Sequence, residues 1–180
     1  MCMQGKGLLF FLLFTCVSFS SFALPGWMGA TASFGMGHPE NLKGARASMQ
    51  WQPAATNKKV FSVYFELSGA YWQVQYPSNR SLVVGALTPV LRLYFTRTPT
   101  FSPYFEASSG PAYLSKTWLG SRNLGAHWTF QDILGLGTTF GKDNRFDFSA
   151  RFLHYSNANL APANGGIDVL LLVTVGYHFG

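Results

Sequence analysis

Residues 60–74, VFSVYFELSGAYWQV, alternate with a period of two: Phe61, Val63, Phe65, Leu67 and Tyr71 share one face, and Ser62, Tyr64, Glu66 and Ser68 share the other. The pattern recurs in residues 45–51, where Ala45, Ala47, Met49 and Trp51 oppose Arg46, Ser48 and Gln50. It recurs in 101–108, with Phe101, Phe105 and Ala107 against Ser102, Tyr104, Glu106 and Ser108, and in 146–152, with Phe146, Phe148, Ala150 and Phe152 against Asp147, Ser149 and Arg151. Alternation of this kind marks strands with one apolar face. Beyond residue 23, no apolar run approaches the roughly 20 residues that a membrane helix needs. Such a chain can span a bilayer only as a closed barrel, because in lipid every backbone N–H and C=O must find its partner inside the protein.

Eight segments carry the pattern, at about 27–37, 44–52, 60–74, 82–96, 101–115, 126–140, 145–156 and 167–179. An even number of antiparallel strands predicts an all-β fold, an eight-stranded transmembrane β-barrel of the bacterial outer membrane, with both termini at the inner side. QPAATNKK, RTPT and GKDNR then form the inner turns, and HPENLK, YPSNR, LSKTWLGSRNLG and NANLAPANGG the outer loops. Tyr177 and Phe179 fall at the inner aromatic girdle, with Gly180 after them. Charged residues make up only 11% of the chain and aromatic residues 17%, whereas a soluble exported domain has roughly a quarter of its residues charged. A soluble sandwich or lipocalin-like barrel is the competing reading, but it needs a well-charged polar face, and here that face is mostly Ser, Gly, Gln and Tyr. The inward face carries Arg46, Arg92 and Arg151 against Glu66, Glu106 and Asp147. Buried charges must be paired, so these predict a filled interior rather than a pore.

Residues 1–23 read as a secretory signal peptide: Lys6, an apolar run from Leu8 to about Phe19, then small residues at Ser21 and Ala23. The barrel domain is expected over 24–180. A lipoprotein signal at Cys16 fits less well, because Phe14 and Thr15 stand where small residues belong. Cys2 and Cys16 both lie in the leader, so the mature chain has no thiol for a disulfide, a metal site or a nucleophile. The net charge of +6 loses one unit with Lys6. No basic cluster is interleaved with a nucleic-acid-binding fold, and no nucleic-acid partner is expected.

The chemistry lies in FLHYSNANLAPANGGIDVLLL, residues 152–172. His154 and Ser156 continue the parity of Phe146, Phe148, Ala150 and Phe152, which places a base and a hydroxyl side by side on the lipid face. Residues two apart on one strand face are about 7 Å apart, within reach of nucleophile and base chemistry. The bland alternative is a strand that ends at the water interface, where His and Ser are ordinary.

His-x-Ser-Asn in the penultimate strand, followed by an acid fourteen residues after the histidine at Asp168, resembles the outer-membrane lipid A 3-O-deacylases, the PagL family. The layout is similar too: a signal peptide, then an eight-stranded barrel. The resemblance implies Ser156 as nucleophile, His154 as general base and Asp168 as the acid that orients it. It also implies Asn157 and Asn164 as candidates for stabilising the oxyanion, beside which the backbone N–H groups of Gly165 and Gly166 are further candidates. One departure stands out: a family enzyme of this kind uses glutamate for the acid, and aspartate is one methylene shorter. No metal or organic cofactor is expected. The expected partners are the lipid A of lipopolysaccharide as substrate and the outer membrane itself, with a homodimer left open. Lys43, Arg80, Lys116 and Arg122 in the outer loops, against Glu40, suit lipid phosphates as well as they suit simple solvation.

Parity raises a difficulty for Asp168. Counting back from Phe179 puts Tyr177, Val175, Val173, Leu171 and Val169 on the lipid face and turns Asp168 inward. One extra residue flips a strand face, so a bulge is predicted in the run from Leu170 to Val173. Asp132 is the reserve acid: with the inner turn centred on Asp143, it falls opposite His154, on the outward parity of Phe130 and Leu134. His38 and His127 fall near loops and His178 near the inner rim, as girdle or interface residues. Two other functions remain in play: a non-enzymatic small barrel (structural, receptor or adhesin), and acyl transfer in place of hydrolysis.

Overall fold

The computed structural model describes residues 25–179, so the leader expected at 1–23 lies outside the described residues. Eight long strands, β1 (Pro25–His38), β2 (Leu42–Pro53), β3 (Phe61–Gln73), β4 (Ser81–Tyr94), β5 (Phe101–Leu114), β6 (Trp128–Phe140), β7 (Phe146–Ser156) and β8 (Ile167–Phe179), form one antiparallel sheet that closes by pairing β8 with β1. Each begins and ends within two residues of where the alternation places it. Among the described residues no helix is long and apolar enough to cross a membrane, and the backbone is satisfied by the closed sheet.

The faces are inverted relative to a soluble barrel. Phe34, Met49, Leu67, Val83, Leu134, Phe148 and Val175 are exposed on the outer wall, while Arg46, Glu66, Arg92, Glu106, Asp147 and Arg151 are buried inside. This is a wall made for lipid.

The interior has two zones. Toward the inner end the six charges interlock: Arg92 reaches Glu106 at 3.0 Å and Asp147 at 2.9 Å, and Arg151 bridges Glu66 and Glu106. Arg46 pairs with Glu66, and the Tyr64 and Tyr104 hydroxyls donate to Glu106 and Asp147. Three cations meet three anions, as the inward parity predicts. His178, expected near the rim, turns inward and stacks on Trp27. Toward the outer end Trp72, Leu82, Leu114, Leu153, Tyr155, Ile167 and Val169 pack as an apolar cluster, joined from above by Leu119 and Leu124 of the β5–β6 loop. That loop carries a two-residue antiparallel pair, Trp118–Leu119 with Arg122–Asn123, too short to show any period in the sequence.

β8 contains the expected break. Val169 pairs with Leu153 and Leu172 with Arg151, so three steps on β8 span two on β7. Leu170 and Leu171 both face outward. β1 accommodates the extra residue at Gly37, where a side chain would collide with the backbone of Asp168 and Leu170.

Candidate active site

His154 and Ser156 sit at the outer end of β7, with Phe152 exposed on the same side and Leu153 and Tyr155 buried on the other. Because of the bulge, Asp168 faces outward as well, directly across from His154. Its Oδ1 lies 2.6 Å from His154 Nδ1, and the two side chains are about one-third exposed, at 38% and 32%. A carboxylate at Nδ1 holds the proton on that nitrogen, which leaves Nε2 with a free lone pair to act as a base. Among the described residues no hydrogen bond joins His154 to Ser156; the two side chains share one strand face, two residues apart.

The site forms part of an outward-facing row across four strands. His38 of β1 stands opposite Asp168, Asp168 opposite His154, and His154 opposite Asp132 of β6. Asp132 thus occupies the register that the inner-turn geometry assigns to it, on the far side of the imidazole, with no hydrogen bond to it among the described residues. Ser156 faces Phe130 across the β6–β7 pair, while Leu134 and Phe152 face each other beside them.

The loop from β7 to β8, residues 157–166, follows Ser156 and ends at Gly166, which lies beside His154. Asn157 is buried, and both of its amide hydrogens are taken by the carbonyls of Leu124 and Ala163. Its side chain ties two loops together and leaves no hydrogen for an oxyanion. Gly165 is occupied in the same sense, since its N–H donates to the Asn123 carbonyl at 2.7 Å. Asn164 accepts from the Asn157 backbone N–H and spends one amide hydrogen on Asn159, keeping the other. Gly166 packs against the imidazole at a φ of +63°: a β-carbon there would lie 3.1 Å from His154 Cε1. Arg122, which the sequence places only in a basic outer loop, donates to the Gly165 carbonyl at 2.9 Å. No local pattern could have found this contact, because it joins loops 43 residues apart. Among the described residues no three His, Cys, Asp or Glu side chains converge as metal ligands.

The family model described as Lipid A 3-O-deacylase (PagL) matches residues 43–178. The chain is 31% identical over 143 residues to the lipid A deacylase PagL of Pseudomonas aeruginosa, covering 78% of each. It is 34% identical over 76 residues to that of Bordetella bronchiseptica, covering 42% of this chain and 41% of the relative. Among solved structures, the crystal structure of the outer membrane enzyme PagL superposes with a TM-score of 0.69 at 23% identity, covering 83% of this chain and 98% of that one. Neisserial surface protein A superposes with a TM-score of 0.56 at 13% identity, covering 85% and 96%. The last two likenesses concern the fold alone.

Proposed function

The chain belongs to the lipid A 3-O-deacylase (PagL) family, and on that premise we propose that it is a serine esterase that hydrolyses the ester-linked 3-hydroxyacyl chain at position 3 of lipid A. It is an eight-stranded barrel of the outer membrane, and its substrate shares that membrane. The observation that carries the reading is the hydrogen bond from His154 Nδ1 to Asp168, made on the lipid-facing wall beside Ser156.

His154 Nε2 takes the proton of Ser156 as Oγ attacks the ester carbonyl, and Asp168 stabilises the imidazolium that forms. The tetrahedral intermediate collapses as the imidazolium returns its proton to the departing sugar hydroxyl. The acyl chain stays on Ser156. Water, deprotonated by the same imidazole, then releases it as a free 3-hydroxy fatty acid. The negative oxygen of each tetrahedral state needs a preorganised donor, and the candidates with a hydrogen to give are the Gly166 N–H and the remaining amide hydrogen of Asn164. Asp132 is the reserve for the orienting acid.

The test is the mass spectrum of lipid A from a host of known lipid A structure that expresses the chain. Loss of one 3-hydroxyacyl mass with the wild type, and none with Ser156→Ala, supports the reading. An unchanged spectrum with a folded barrel in the membrane refutes it, and a gain of mass would indicate acyl transfer.

A further inference from the structure

We propose that Arg122 is a positioning residue for the oxyanion donor, acting through the Gly165–Gly166 peptide; this rests on the esterase reading above. The β5–β6 loop is anchored rather than free, because Leu119 and Leu124 are fully buried in the outer mouth of the barrel. From that anchor the loop grips the β7–β8 loop at Gly165 from both sides. The Asn123 carbonyl accepts the Gly165 N–H at 2.7 Å, and Arg122 Nη1 donates to the Gly165 carbonyl at 2.9 Å.

The consequence lies one atom further along the chain. In a trans peptide the carbonyl of one residue and the N–H of the next lie in one plane and point in opposite directions. With the Gly165 carbonyl turned to Arg122, the Gly166 N–H turns away from the β5–β6 loop. Among the described residues no acceptor takes that N–H. Gly166 itself lies against the reacting edge of the imidazole, since a β-carbon there would be 3.1 Å from His154 Cε1 and 4.0 Å from Nε2. Its φ of +63° is one that glycine adopts without penalty.

A guanidinium on the carbonyl oxygen also polarises the peptide and strengthens its N–H as a donor. The donor is therefore fixed before reaction, the condition under which oxyanion stabilisation is effective. Asn157 and Gly165 have spent their hydrogens elsewhere, whereas the Gly166 N–H belongs to the residue packed against the imidazole.

The experiment measures steady-state kinetics of the full folded chain on lipid A in mixed micelles, for wild type, Ser156→Ala, Arg122→Ala and Arg122→Lys. Arg122→Ala is expected to lower kcat by about 10-fold to 100-fold, less than the 10²–10³ that follows outright loss of an oxyanion donor, with KM little changed. Affinity for an alkylphosphonate mimic of the tetrahedral state should fall in parallel with kcat. Arg122→Lys, which can still reach the carbonyl as a point donor, should recover part of the loss. A raised KM at unchanged kcat would make Arg122 a contact for lipid phosphate and overturn the proposal. So would wild-type kcat in both Arg122 variants while Ser156→Ala is inert, an outcome that leaves the esterase reading standing. A wild type with no Ser156-dependent turnover would instead overturn that reading and this proposal with it.

Discussion

Leu170 and Leu171, neighbours in β8, both face away from the barrel interior, and this single break in alternation sets Asp168 opposite His154. Without it the carboxylate would join the buried face. Deleting Leu171 should restore strict alternation and turn Asp168 inward, because one residue reverses the face of everything beyond it. The deletion variant is expected to fold as a barrel, judged by its heat-modifiable electrophoretic mobility, and to be no more active on lipid A than Asp168→Ala. Activity near that of the wild type would show that the bulge is not what places the acid.

Asp168 and Asp132 flank the same imidazole, but only Asp168 is hydrogen-bonded to it. The acid of such a triad generally costs roughly one to two orders of magnitude less than the nucleophile when removed. Asp168→Ala should therefore retain a measurable fraction of turnover, well above Ser156→Ala. Asp132→Ala should lose less than Asp168→Ala, since its carboxylate acts on the imidazole only through space. Rates of the four proteins on one substrate decide this; a larger loss for Asp132→Ala would make it the orienting acid.

Stability has its own focus inside the barrel. Arg151 bridges Glu66 and Glu106 and lies within hydrogen-bonding reach of the Tyr64 hydroxyl. Arg151→Ala leaves three buried carboxylates against two cations, with Glu66 held by Arg46 and Glu106 by Arg92, and removal of one member of a buried ion pair costs roughly 3–5 kcal/mol. The urea midpoint of the barrel in lipid vesicles should drop accordingly, while Arg145→Ala at the exposed rim should leave it nearly unchanged. Equal midpoints would mean that the remaining charges repair the network on their own.

Much of this architecture is legible in the sequence because a lipid-facing barrel writes its inside and outside on alternate residues. Phe61 to Trp72 show it plainly, and so does the inward set of Arg46, Glu66 and Arg151. The break at Leu170–Leu171 is legible by contradiction, as the place where parity would turn an outward acid inward. The loops are not written this way. Arg122 meets Gly165 because two buried leucines fix one loop over another, and nothing in either segment records the other. The spent hydrogens of Asn157 likewise follow from the packing of three loop carbonyl and amide groups, not from its position after Ser156.

The proposed hydrolysis depends most on an outward serine made nucleophilic by the imidazole beside it. Treating the folded barrel in detergent with a long-chain alkyl fluorophosphonate and locating the adduct by peptide mass spectrometry tests this directly. One phosphonyl group is expected on Ser156 of the wild type, and none on His154→Ala under the same conditions. No adduct on a folded wild type, an adduct on another residue, or equal labelling of the His154→Ala variant would contradict it.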